Sequence, residues 1–195
     1  MKHTLVFLAL LSSIGLLTAK LPPIEMGGGI EFAGKQSVEQ DLYTGKEEDF
    51  DTKFCSSGYL EVVGNVFPAL QMGGGLEVQD IRKIEQTEGE AEFRFVSLYL
   101  VTRLHHPRFE ESPVSPELLV HLGINGLSGN STYFERCDFG GTWHAALGAG
   151  VMLWSRWTVS CMYSAHYGYV ELPNVSGRQQ VAQRNLRLRV GFRFN

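Results

Sequence analysis

The chain has 195 residues, a formal net charge of −4 at neutral pH, 22 Gly and 3 Cys. That length suits one domain, and the mild acidity argues against a nucleic-acid binder, whose affinity rests on cationic contacts to phosphate. Three scattered cysteines without metal-ligand spacing exclude a disulfide scaffold and a structural metal site.

Residues 1–19 read as a signal peptide. Lys2 supplies the positive start, Leu5 to Leu17 the apolar core, and Ala19 the small residue before cleavage. An apolar core of about 13 residues falls short of the ~20 needed to span a bilayer as a helix. No later stretch is apolar enough for a membrane helix. No Cys follows the cleavage point, which argues against a lipid anchor, so residues 20–195 form the mature, exported domain.

The mature chain opens on Ile24-Glu25-Met26-Gly27-Gly28-Gly29-Ile30-Glu31, and a second copy follows at Leu70-Gln71-Met72-Gly73-Gly74-Gly75-Leu76-Glu77. A phosphate-binding glycine loop needs a Lys and a Ser or Thr leading into a helix. Here a carboxylate follows the glycines. The residues instead alternate with a period of two, which marks β-strands softened by glycine.

The same alternation recurs in blocks of about ten residues. After a polar, acidic stretch from Lys35 to Ser57, Leu60, Val62, Gly64 and Val66 alternate with Tyr59, Glu61, Val63 and Asn65. A tight connection at Phe67-Pro68-Ala69 leads into the second glycine strand, and a charged loop runs from Asp80 to Ala91. From Glu92 to Arg103 both faces turn apolar. Phe93, Phe95, Tyr99 and Val101 stand against Glu92, Arg94, Val96, Leu98 and Leu100, and the second set is assigned to the interior.

Leu104 to Pro116 is a Pro-rich break, longer than its place in the pattern calls for. Leu118, Val120, Leu122 and Ile124 then oppose Leu119, His121, Gly123 and Asn125. A loop from Ser128 to Gly141 precedes Trp143 to Leu153, a tight turn at Ser155-Arg156, and Trp157 to Gly168. The loop from Glu171 to Gln183 leads to the cleanest strand, in which Leu186, Leu188, Val190, Phe192 and Phe194 interleave with Arg187, Arg189, Gly191 and Arg193.

About eight strands, long and short loops in alternation and no helix predict an all-β, closed, antiparallel up-and-down barrel. An even strand number lets the first strand meet the last and leaves no edge. One register of that closure sets Glu25 opposite Arg193, Glu31 opposite Arg187, and Gly29 opposite Arg189, where the glycine leaves room for the side chain.

Alternation alone fits either a membrane barrel or a soluble, lipocalin-like ligand barrel. The polar interior set favours lipid outside, as do aromatics near strand ends: Tyr59, Phe93, Trp143, Trp157, Tyr167, Tyr169, Phe192 and Phe194. With the signal peptide and the aromatic final strand, this pattern resembles the small eight-stranded bacterial outer-membrane proteins: the OmpA transmembrane domain, OmpX, OmpW and opacity-type families.

The resemblance implies multi-pass residence in the outer membrane, with lipids of that membrane as partners. It also implies recognition of Phe192 and Phe194 by the barrel-assembly machinery, although Asn195 follows where such chains usually end on the aromatic. The long acidic loops would present a surface for host or environmental ligands. A narrow OmpW-like channel for small or hydrophobic solutes is the alternative role, and a lipid-modifying barrel enzyme a further one.

Chemistry in the strands reads as follows. Glu25, Glu31, Glu61, Glu77, Glu92, Arg94, Arg187, Arg189 and Arg193 form a lumen charge network, too many charges to bury unpaired. Ser160 and His166 share a face but stand roughly 20 Å apart along their strand, beyond hydrogen-bond reach, and Ser164 lies between them. His144 and His166 approach each other on neighbouring strands as polar lumen residues, while His105-His106 reads as a solvated turn. No catalytic group, cofactor or metal site is assigned. Cys55 and Cys137 are placed in long loops at one mouth, close enough in topology to form a disulfide in an oxidising envelope, with Cys161 free on the lipid face.

Overall fold

The computed structural model describes residues 22–41, 46–51, 55–84, 91–109, 112–129, 138–171 and 178–194. The expected signal peptide and Cys137 lie outside the described residues. The strands are β1 (Ile24–Asp41), β2 (Lys46–Asp51), β3 (Cys55–Phe67), β4 (Leu70–Gln79), β5 (Arg82–Ile84), β6 (Ala91–His105), β7 (Val114–Gly129), β8 (Asp138–Leu153), β9 (Trp157–Glu171) and β10 (Arg178–Phe194). Among the described residues the single helical turn is a 3-10 segment at Pro107–Phe109.

Eight strands form a closed antiparallel ring in the order β1, β3, β4, β6, β7, β8, β9 and β10, and β10 pairs back onto β1. The short β2 and β5 sit outside the ring, extending the sheet at the long-loop end along β1 and β6. The closing register sets Glu25 opposite Arg193, Gly29 opposite Arg189 and Glu31 opposite Arg187. It is the register that matches charge to charge in the sequence.

The strands run further at the loop end than alternation predicts. β1 continues to Asp41, β8 begins at Asp138 and β10 begins at Arg178. Polar residues there hold strand geometry because the neighbouring strands continue too and supply ladder partners on both sides, as Gln36 has in Gln183 and Phe50. The Pro-rich segment is a longer turn at the short-loop end, where the 3-10 turn joins β6 to β7. The second tight turn joins β8 to β9 through three residues, Trp154 to Arg156. Trp154 and Ser155 adopt φ of 48° and 57°, and Arg156 N–H donates to the Leu153 carbonyl at 3.0 Å. Positive φ at both central residues is the primed turn that matches strand twist.

Burial is inverted relative to a water-soluble domain. Glu61, Glu77, Arg187, Arg103 and His121 are buried, whereas Leu118, Leu122, Ile124, Leu147 and Tyr163 are exposed on the outer face. An inward-facing charge set and an outward-facing apolar band identify the wall as built for lipid. Trp157 and Phe192 stack edge to face at the short-turn end, and Trp143 stacks on Tyr167 towards the loop end. From Trp157 to Tyr167 the strand rises roughly 33 Å, which a ~45° tilt reduces to about 23 Å, close to the height of an outer-membrane apolar band.

Two aromatics assigned to these girdles belong elsewhere. Tyr59 and Phe93 point into the lumen, at 6% and 3% exposure. Each repeated glycine run explains one inward tyrosine. Gly27 lies opposite Tyr59 and Gly75 opposite Tyr99, and a Cβ at either glycine would strike the phenol ring beside it. The ring lies over the glycine of the next strand and covers its bare backbone.

Gly75→Val should therefore destabilise the barrel by about 1–3 kcal/mol through overpacking against Tyr99 and Glu61. Gly58→Val, on the outer face with nothing within 4 Å of the added Cβ, should be neutral or stabilising. Urea titration of tryptophan fluorescence in lipid vesicles distinguishes the two, and equal losses would contradict the packing role.

Candidate functional site

The lumen is the site. Period-two alternation delivers side chains of every ring strand to it, and among the described residues five carboxylates and four guanidiniums are buried there: Glu25, Glu31, Glu61, Glu77 and Glu117 against Arg103, Arg187, Arg189 and Arg193.

Glu61 is the hub. Arg189 Nη2 donates to its Oε1 at 2.5 Å, the Tyr99 hydroxyl donates to the same oxygen at 3.0 Å, and Arg103 Nη2 donates to its Oε2. The other arm of Arg103 donates from Nη1 to Glu25 Oε2 at 2.7 Å, so one planar guanidinium bridges two carboxylates. Glu25 is completed by the Tyr59 hydroxyl at 3.0 Å, the Thr158 hydroxyl at 2.8 Å and Arg193 Nη2 at 3.4 Å. The Arg189 guanidinium lies 3.6 Å above the Tyr59 ring. Each of the two carboxylates is met by guanidiniums and by neutral hydroxyl donors, which is the condition for burying it at tolerable cost.

A second ion pair joins Arg187 Nη1 to Glu77 across the lumen. Arg187 faces Glu31 in the closing register, but its guanidinium reaches Glu77 on β4. Towards the loop end the filling changes to rings. His144 and His166 stack at 4.5 Å, Tyr99 and His121 at 4.4 Å, and Phe95 lies 5.4 Å from His166. His166 contacts Gln79 Nε2 at 2.8 Å and the Ser97 hydroxyl at 3.3 Å. Ser160 and Ser164 also point inward, and Ser164 donates to Asn185 Oδ1. Above them Phe93, Phe95, Leu127, Val170 and Val181 form an apolar cluster.

Glu25, Glu31, Glu61, Glu77, Arg187, Arg189 and Arg193 are thus brought into the lumen. Glu92 and Arg94 are not. Phe93 and Phe95 take the inward positions of β6 together with Ser97, Tyr99, Val101 and Arg103, so Glu92, Arg94, Val96, Leu98 and Leu100 turn to the other face. The apolar interior hint carried by Val96 to Leu100 is corrected with them. Cys55 opens β3 with its side chain buried on the lumen-facing side, and is not a loop residue. The expected Cys55–Cys137 disulfide rests on Cys137, outside the described residues. Cys161 is exposed on the outer wall.

Sequence reading missed Arg103, Glu117, Tyr59 and Tyr99 as lumen groups. Arg103 was the available signal. A lone Arg at the end of an apolar strand faces inward in a lipid-embedded wall, and counting back from it by twos gives the phase of all β6.

The fold and its filled lumen define a small eight-stranded barrel of the outer-membrane type. Among solved structures the chain is similar to Neisserial surface protein A, at 13% identity and a TM-score of 0.53, covering 88% of this chain and 97% of that one. It is similar to the outer membrane protein OprG from Pseudomonas aeruginosa at 14% identity and a TM-score of 0.53, covering 90% and 97%. AlkL, an outer membrane protein solved in DMPC lipid bilayers, matches at 14% identity and a TM-score of 0.52, covering 91% and 92%. No protein-family description and no curated protein matches the sequence.

Arg103→Met should cost about 3–5 kcal/mol, since it strips both Glu25 and Glu61 of a buried partner. Adding Glu61→Gln should recover part of that loss. A double-mutant cycle by urea unfolding in vesicles measures the coupling, and strictly additive losses would mean that the two side chains do not act together.

Proposed function

We infer that the protein is a closed barrel of the bacterial outer membrane, exported by a signal peptide at residues 1–19. Its filled lumen serves as a rigid post, and its acidic loops carry the contacts with the surroundings. The observation that carries this reading is the buried lattice of Glu25, Glu61, Arg103 and Arg189, which bridges the lumen with paired charge and leaves no open water column at that level. Eight strands enclose little more than the space side chains fill.

The loop-end sequence supports a surface-contact role. Glu39, Asp41, Glu47, Glu48, Asp49 and Asp51 outnumber Lys35, Lys46 and Lys53 in the first long segment. Such a potential repels acidic surfaces and favours basic or cation-bridged ones. Neisserial surface protein A is by its name a surface protein. Phe192 and Phe194 are the groups that the barrel-assembly machinery would recognise.

One observation favours a second reading, passage of small apolar solutes. The cluster of Phe93, Phe95, Leu127, Val170 and Val181 makes the loop end of the lumen apolar.

Refolded mature protein in planar bilayers is expected to give no discrete conductance steps, and unheated samples should migrate faster on gels than heated ones. Steady ohmic conductance would overturn the closed-lumen reading, and recovery as a soluble periplasmic monomer would overturn the membrane one.

A further inference from the structure

On the outer wall the cross-strand rows of β3, β4 and β6 change character towards the loop end. Leu60, Leu76 and Leu98 form one row, and Gly58, Val78 and Val96 form the next. The row after that holds Ser56 and Asp80, joined by Asp80 N–H donating to the Ser56 carbonyl at 2.8 Å, with Arg94 next to them on β6 by the same register. From Cys55 to Glu61, Gly75 to Gln79 and Phe93 to Tyr99 the odd-numbered positions are the buried ones, so all three rows belong to the outer face. Two apolar rows thus end on a polar one.

The ladder breaks at the polar row. β4 pairs with β6 as far as Val78 and Val96, and β5 takes over at Arg82 and Phe93, so Gln79, Asp80 and Ile81 stand against Arg94 and Phe95 with one residue to spare. A groove of about 330 Å³ opens there, and its lining includes Arg94, Asp80, Ser56, Gly58 and Val78. Gly58 leaves it open, since an added Cβ there would meet nothing within 4 Å. Arg94 is the unsatisfied group of this groove. Its Nε is buried without a hydrogen-bond acceptor, and among the described residues its guanidinium makes no ion pair. Asp80 is engaged elsewhere: Oδ1 accepts from Ile81 N–H at 2.8 Å and Oδ2 from the Ser56 hydroxyl at 3.3 Å. A guanidinium left without an acceptor calls for one.

These features select a ligand class. A cationic head would meet Arg94 as a like charge. The planar guanidinium offers N–H donors in a fork that suits the oxygens of a phosphate. The Asp80 carboxylate beside it disfavours a dianion, so a phosphodiester, with its single charge, fits better than a phosphomonoester. A free anion would use the polar row alone, whereas a lipid also covers the apolar rows below it. We propose that this groove binds the phosphodiester head of a membrane lipid, with the phosphate at Arg94 and the hydrocarbon running over Gly58, Val78 and Leu76. The site rests on the lipid-facing reading of the wall and is independent of whether the lumen conducts.

The test uses the refolded mature barrel in detergent. Native mass spectrometry after exposure to equal amounts of phosphatidylglycerol and a diacylglycerol with the same chains reads what the phosphate adds. Retention of phosphatidylglycerol should exceed that of the diacylglycerol by roughly tenfold, as expected for a charge-assisted hydrogen-bonded contact. Arg94→Gln should bring that ratio close to one, and Arg94→Lys should restore part of it. Gly58→Val keeps Arg94 but fills the groove, and should lower phosphatidylglycerol retention several-fold. That variant keeps the test decisive if Arg94→Gln fails to fold. Equal retention of both lipids, a preference unchanged by Arg94→Gln, or displacement of the lipid by inorganic phosphate would overturn the proposal and leave the membrane reading intact. A water-soluble monomer that retains neither lipid would overturn that reading and the proposal with it.

Discussion

A charge taken out of water must be met where it lands, and Glu61 is where this barrel meets that demand most fully. Its carboxylate is fully buried and receives two guanidiniums and a phenol, delivered by β6 and β10 from different sides of the ring. The two arginines reach it only if the strands stand in their observed registers. A slip of one residue would turn either side chain out to the wall face. The hub therefore does more than add a few contacts: it ties strand register, ring closure and lumen filling to one condition.

The repeated glycine runs belong to the same condition. Tyr59 and Tyr99 can stretch across the lumen because Gly27 and Gly75 beside them have no side chain. Their hydroxyls then reach Glu25 and Glu61. Small residue, ring and carboxylate thus recur as a unit on two adjacent parts of the wall. Gly29 plays a related part for Arg189, whose Cγ would lie 3.4 Å from an added Cβ.

How far the sequence could be read followed from how strongly each strand separates its faces. β10 alternates Leu, Val and Phe with Arg and Gly, and β1 sets Glu against Ile and Met, so both phase and closing register could be read directly. β6 is apolar on both faces, because Phe93, Phe95 and Val101 fill the lumen while Val96, Leu98 and Leu100 face outward. Periodicity carries no phase in such a strand, and Glu92 and Arg94 at its loop end misled while Arg103 at the other end held the answer. The strand extensions beyond the membrane were hidden for a different reason. Lys35 to Val38 is laddered on both sides, yet the sequence Lys-Gln-Ser-Val carries no apolar alternation to announce a strand. Partners across the lumen, such as Glu77 for Arg187, depend on barrel diameter and are invisible to any one-dimensional pattern.

The seam between β1 and β10 also sets the order of events in time. Glu25 and Arg193 are 168 residues apart, yet they face each other across the joint that closes the ring. During synthesis from the N-terminus, β1 is made first of the eight ring strands and its second ring neighbour, β10, last. Any sheet formed before β10 is available would have an unsealed edge and a charged inner face without enclosure. Long-range pairing of this kind is slow to form and open to aggregation while it waits. The chain must therefore be held apart from its own kind until β10 arrives, and sealing the seam converts a hazardous open sheet into a wall without edges.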